Sequence, residues 1–261
     1  MNRVLGYVAS FLVILLVLPV HEFAHAFVAV KAGDPTPKAE GRYTINPLKH
    51  FDIIGLVMLV VAHFGWAKPV PVNPYNFRNP RRDYFLVAIA GVTANLIMAI
   101  VFSLLLTVFS RVTFTQLNIA GIFADAEKET FYMYFYSAAL TLYNNGYVTA
   151  TAYLLLSLLY FVLLYGVIIN VNLIVFNLIP VYPLDGFRAL DAALKRKGKV
   201  FDFLKKYGHY VLLALIVWSV ICDYTESYIP FMGYLDILGL VLGTVSKFVL
   251  KLFTGFWGLF F

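Results

Sequence analysis

Long apolar runs separated by short polar and basic stretches set the pattern of the chain. Residues 4–20 carry no charge and apolar character resumes after His21 to His25, which predicts a helix over about 4–30. At 1.5 Å per residue such a helix is roughly 40 Å long, enough to cross a bilayer. Residues 84–110, between Asp83 and Arg111, form a second uncharged run, long enough for one tilted span. From Thr130 to Leu184 no charged residue occurs over 55 positions, room for two spans or for one span plus an interfacial segment. Shorter runs lie at about 207–222 and at 232–255, the latter interrupted by Asp236, Lys247 and Lys251. The expectation is an all-α multi-span membrane protein of about five spans. Residues 38–75 differ in kind, because Gly, Pro, Asn and charges surround short β-like pieces such as RYTI and KPVPV. They predict a small membrane-associated β-sheet between the first two core helices.

Composition sharpens this picture. Of 261 residues 61% are apolar and 13% charged, whereas soluble domains carry about 25% charged residues, so a soluble enzyme is excluded. Arg3 and the run after it resemble a signal peptide without the small-residue cleavage signature, so the run reads as a retained helix. The net charge of +6 is a topology signal rather than a nucleic-acid footprint, and no nucleic-acid partner is expected. Fifteen of the twenty basic residues cluster in three connecting regions, Lys31–Lys49, Lys68–Arg82 and Arg188–Lys206. The positive-inside tendency assigns all three to the cytoplasmic side. Residues 130–184 then cross once, at about 150–179, and Phe131–Tyr143 becomes an outer-surface or re-entrant segment. Asp125, Glu127 and Glu129 fall outside, and Lys195–Lys206 faces anionic headgroups. With Cys222 the single cysteine, no thiolate cluster exists and any metal must use His and carboxylate.

Chemistry concentrates in His21-Glu22-Phe23-Ala24-His25 on the first helix. Residues four apart share a helix face, so both imidazoles can hold one metal ion while Glu22 reaches its water. A Glu within a hydrophobic span is itself a functional hypothesis. Catalytic zinc usually takes three protein ligands. Asp185, in Asn177-Leu-Ile-Pro180-Val-Tyr-Pro183-Leu-Asp185-Gly186, is the candidate third ligand, with a helix-capping turn as the alternative. Depth links the two motifs. Charge bias alone assigns Asp185 to the cytoplasmic end of its span, the level of His21 and His25, whereas two crossings would separate them by roughly 30 Å.

HEFAH in a membrane helix, with Asn177-x-x-Pro180 leading to Leu184-Asp185-Gly186, resembles the site-2 protease family of intramembrane zinc metalloproteases. GRYTINPLKHFD, FGWAKPVPVNP and NFRNPRRD are similar to the family's bacterial members, so the resemblance covers about residues 10–190. It implies one Zn2+ ion and hydrolysis of peptide bonds in or next to transmembrane segments of protein or peptide substrates. It also implies a multi-pass protein of a bacterial cell membrane, with its site toward the cytoplasm. The family's Gly-Pro-x-x-Asn element reads Gly91-Val92-Thr93-Ala94-Asn95 here, without the proline. Asn95 is carried over as an oxyanion or substrate partner, with an interhelical hydrogen bond as the alternative. The expected organisation is one membrane-embedded domain over 1–261, with a catalytic core at 4–190 and C-terminal helices at 207–261.

Glu22 is the candidate base. Pro69 and Pro71 lose their N–H groups on one edge, while Val70 keeps its donor on the other, which predicts either a substrate-pairing edge at Val70 or an ordinary protected edge. Asn177, and His50 near Asp52, are candidate neighbours of the ligands. His63 and His209 read as structural or interfacial, and Arg188 and Asp191 as solvated or paired contacts. The rival readings are an intramembrane metal-binding transporter and an inactive zinc-binding homologue. A transport site has no need of Glu22 beside the first ligand.

Overall fold

The computed structural model describes residues 2–55, 58, 65–119, 139–140 and 142–260. His63, Asp125, Glu127, Glu129 and most of Phe131–Tyr143 lie outside the described residues. The described residues include the α-helices α1 (Asn2–Ala32), α2 (Thr36–Ala39), α3 (Pro47–His50), α4 (Pro80–Ile119), α5 (Ala150–Leu178), α6 (Asp185–Ala193), α7 (Lys199–Glu226) and α8 (Ile237–Trp257). Five of them contain stretches long and apolar enough to cross a membrane: Val4–Ala32, Pro80–Thr113, Ala150–Leu178, Lys199–Glu226 and Ile237–Trp257. They coincide with the five predicted runs. Val4–Ala32, Pro80–Thr113 and Lys199–Glu226 are longer than the predicted runs, because charged residues join at their ends, where long side chains can reach an interface. Large apolar side chains such as Val8, Leu12 and Leu16 on α1 and Leu213 and Val217 on α7 are exposed, as lipid-facing surfaces require.

Helix ends follow local chemistry. Gly33, at φ 109°, stops α1. Its N–H donates to Val30 O and the Asp34 N–H to Ala29 O, the paired bonds of a Schellman ending that calls for a left-handed residue. At the start of α4, Pro80 occupies the first turn and the Asp83 carboxylate accepts the Asn79 N–H at 2.8 Å, so an orphan donor is satisfied where negative charge is favourable. Arg81 donates to the carbonyls of Ala192 and Ala193, closing the free C-terminal end of α6.

The predicted β-sheet does not form. Among the described residues there is no strand, only an isolated antiparallel bridge between Phe51 and Ala67. RYTI follows Gly41, at φ 64°, and leads into α3, whose N-cap Asn46 accepts the Leu48 N–H. KPVPV forms no regular secondary structure: Pro69 and Pro71 remove two donors, and several of the remaining backbone groups pair with side chains. Arg42 Nη2 donates to Lys68 O and Pro69 O, Val70 N–H donates to Glu22 and Asn73 N–H donates to Asp34. With its hydrogen bonds satisfied in this way, the segment needs no neighbouring strand.

Contacts divide the chain into two compact units. One comprises Met1–Ile14, Ile97–Asn170 and Phe248–Phe261. Within it Phe102 packs on Gly166, and Trp257 Nε1 donates to Ser103 Oγ at 2.9 Å. The other comprises Leu15–Leu96 and Val171–Lys247. It holds the buried cluster of Ala29, Phe77 and Val87, which joins α1 to the start of α4. All the residues of the candidate centre belong to this second unit.

Candidate metal centre

His21 and His25 lie one turn apart on α1, both buried, with ring centroids 4.8 Å apart. Two features of α4 fix them. Val87 O lies 2.7 Å from His25 Nδ1, so the proton belongs on Nδ1 and Nε2 is left as a lone pair. Gly91, one turn further along α4, faces both rings. A Cβ there would stand 2.6 Å from His21 Nε2 and collide with both imidazoles, so only glycine admits the pair.

Asp185 opens α6 after a turn in which Val181 N–H donates to Ile179 O and Leu184 N–H to Val181 O. The Tyr182–Pro183 peptide is cis. Gly186 lets the start of α6 fold against the end of α5, because a Cβ would strike the Leu178 carbonyl. From the other side α7 supports the turn: Phe201 stacks on Phe187 at 4.7 Å, and Gly208 leaves room for the Tyr182 backbone. Asp185 is buried, and its Oδ2 lies 3.1 Å from His25 Nε2 and 3.4 Å from His21 Nε2. Arg188 approaches the other oxygen at 3.7 Å. Burial disfavours the charged carboxylate, but the charge of His25, hydrogen bonds from His21 and His25 and the charge of His21 together outweigh it when the imidazoles are protonated, and the Asp185 pKa is lowered.

The two imidazole nitrogens, 3.1 Å apart, and Asp185 Oδ2 form a triangle that fits a small cation. Ligands 2.0–2.1 Å from a tetrahedral zinc stand about 3.3 Å apart, close to the three observed separations of 3.1, 3.1 and 3.4 Å. Asp185 Oδ2 is buried without a hydrogen-bond donor, and acceptors crowded in this way repel one another unless a positive charge lies among them. His21, His25 and Asp185 are a group that could hold a metal ion.

The other predicted residues are distributed unevenly. Glu22, beside His21, accepts the Val70 N–H on Oε2 at 2.9 Å, so that donor faces the carboxylate rather than an open edge. Asn95 is fully buried, one turn beyond Gly91 on α4, and neither amide atom has a hydrogen-bond partner. Asn177 donates to Leu173 O within α5. His50 Nε2 pairs with Thr44 O, and Asp52 accepts the Gly55 N–H, so the structure does not bring His50 and Asp52 together as a pair. Asp191 pairs with Lys197. Sequence reasoning missed Asp34 and Arg42, whose side chains hold the 66–73 segment. The signal available was the spacing of Pro69 and Pro71, which leaves few donors for a ladder.

Comparison with known proteins agrees with this chemistry. The profile of peptidase family M50 matches residues 9–219, so the similarity extends beyond residue 190 into α7. "Putative zinc metalloprotease YwhC" of Bacillus subtilis is 35% identical over 224 residues, covering 83% of this chain and 86% of the relative. "Putative zinc metalloprotease Rip2" of Mycolicibacterium smegmatis is 26% identical over 224 residues, covering 82% and 70% respectively. No solved structure matches. The relatives carry the names of zinc metalloproteases, and the five apolar helices fit an integral membrane protein. The chain belongs to peptidase family M50, the site-2 protease family.

Proposed function

We propose that the protein is a zinc-dependent intramembrane endopeptidase that hydrolyses peptide bonds in or next to transmembrane segments of membrane-protein substrates. The observation that carries this reading is the convergence of His21, His25 and Asp185 on one point, with Glu22 adjacent to the first ligand. His21, His25 and Asp185 hold one zinc ion. When bound, zinc would supply Lewis acidity toward a carbonyl and would acidify a water beside Glu22. Glu22 takes the proton of the attacking water and returns it to the leaving amide nitrogen. The hydrogen bond from Val70 N–H restrains one carboxylate oxygen while this happens. The unpartnered, buried amide of Asn95 donates to the oxyanion that develops on the scissile carbonyl, a contact that would satisfy the orphan group as catalysis begins. The basic loops Lys31–Lys49, Lys68–Arg82 and Arg188–Lys206 orient this end of the helices toward the cytoplasm of a bacterial cell membrane.

The test compares purified wild type with Glu22→Gln for zinc content and for cleavage of tagged single-span membrane proteins. Equal zinc with a rate lower by about 100- to 10,000-fold in the variant is expected. Undiminished cleavage by Glu22→Gln would remove the base. Zinc flux into vesicles without cleavage by either protein would favour a transporter.

A further inference from the structure

The segment Trp66–Asn73 is not a strand, yet Lys68, Pro69, Val70 and Asn73 are held through their backbone polar groups. Lys68 N–H donates to His50 O at 2.7 Å. One nitrogen of the Arg42 guanidinium donates to Lys68 O at 2.8 Å and to Pro69 O at 3.2 Å. Asp34, itself braced by Thr36 and Asn76, accepts the Asn73 N–H at 2.8 Å. Between these anchors Pro69 and Pro71 have no N–H, so Val70 carries the one backbone donor of the tripeptide. That donor points at Glu22 Oε2, 2.9 Å away. Arg42 and Val70 are both buried, at 7% and 5% exposure. A buried guanidinium spent on two carbonyls rather than on a carboxylate is costly unless those carbonyls must stay where they are.

We propose that Arg42 is a positioning residue for hydrolysis. By gripping the carbonyls of Lys68 and Pro69, it aims the Val70 N–H at Glu22 Oε2, fixes the orientation of the carboxylate and leaves Oε1 for the proton. This role rests on Glu22 being the base. The planar guanidinium fixes the directions of the two N–H bonds of that nitrogen, whereas a lysine ammonium rotates freely at the end of a shorter stem. Asp34 sets the far end of the same segment.

The test uses full-length protein in detergent or vesicles and compares wild type, Arg42→Gln, Arg42→Lys, Glu22→Gln and the double variant Arg42→Gln/Glu22→Gln. Three readouts are taken: zinc content, amide hydrogen exchange in peptides that bracket Val70, and cleavage of a tagged single-span membrane protein. Arg42→Gln should keep its zinc and exchange the Val70 amide at least about tenfold faster. Its kcat should fall about 10- to 100-fold with KM little changed, as expected when a reacting group is displaced by a fraction of an ångström to an ångström. Arg42→Lys should recover part of both effects. In the Glu22→Gln background the Arg42 change should cost nothing further, because the carboxylate it aims is gone.

Unchanged exchange and kcat in Arg42→Gln, or loss of zinc together with activity, would overturn the positioning role, the latter because Arg42 would then hold the fold. If Glu22→Gln cleaves like wild type, the base assignment falls and the positioning role with it. If Glu22→Gln is inactive while Arg42→Gln is normal, only the positioning role falls.

Discussion

The turn Ile179–Leu184 and the segment Trp66–Asn73 each contain two prolines, and each delivers one group to the same centre. They are held by different means. The first hands over a side chain, Asp185, from a turn closed by its own backbone bonds and continued directly into α6, with α5 and α7 packed against it through Gly186 and Gly208. The second hands over a backbone donor, Val70 N–H, from an irregular stretch held by the distant side chains of Arg42, Asp34 and Glu22. The His21, His25 and Asp185 side of the centre is therefore built of helices, and the Glu22 side is built of individual hydrogen bonds. A frame of the first kind tolerates the loss of one polar contact. A frame of the second kind can lose its function through one side chain while the metal stays.

Removing a ligand gives the largest effect. Asp185→Ala should lower zinc affinity by more than about 100-fold, beyond what outer-shell changes cost, while amide exchange across residues 66–73 stays at the wild-type rate. Parallel opening of that segment would show that the two frames are one. Gly91→Ala comes next, because its methyl group would enter the space of both imidazoles. Overpacking costs about 1–3 kcal/mol, roughly a tenfold to hundredfold weakening of zinc in a chelator competition. Unchanged affinity would mean that α1 and α4 are not rigidly apposed.

The smallest effect concerns Asp34. Burial disfavours its carboxylate, but hydrogen bonds from Asn76, Thr36 and the Asn73 N–H outweigh this and hold its pKa below the ordinary carboxylate value. A group depressed in this way adds stability that is complete above the unfolded value of about 3.9 and is lost as pH falls through the lower folded value. Wild type should therefore melt above Asp34→Asn at neutral pH, with the margin shrinking below about pH 4. Parallel melting curves at all pH values would remove Asp34 from the account of this segment.

The helix-built frame was legible in the sequence because its signals are periodic. His21 and His25 share a face by spacing alone, and apolar runs, long and uncharged in the first three and shorter or interrupted in the last two, marked the five apolar helices. Basic clusters suggested one crossing in 130–184, and one long apolar helix, Ala150–Leu178, occupies that stretch among the described residues. The irregular segment was not legible in the same way. Alternating prolines and valines in KPVPV look like a strand, but strand formation is decided by whether a neighbour supplies hydrogen bonds. Here Arg42 and Asp34, 26 and 39 positions away from the groups they bind, supply them instead. For His50 a structural role was as open as a pair with Asp52, and its Nε2 pairs with Thr44 O.

The close approach of Gly91 to both imidazoles also bears on which cations the centre accepts. Val87 O fixes one ring, and the α4 backbone blocks both from moving back, so the nitrogens cannot spread to make room. An ion content with few nitrogen ligands in a tetrahedral arrangement fits that spacing, whereas magnesium and calcium require six or more oxygen ligands. A bare α-carbon on α4 thus sets how far the two imidazoles can retreat toward that helix around any cation placed between them.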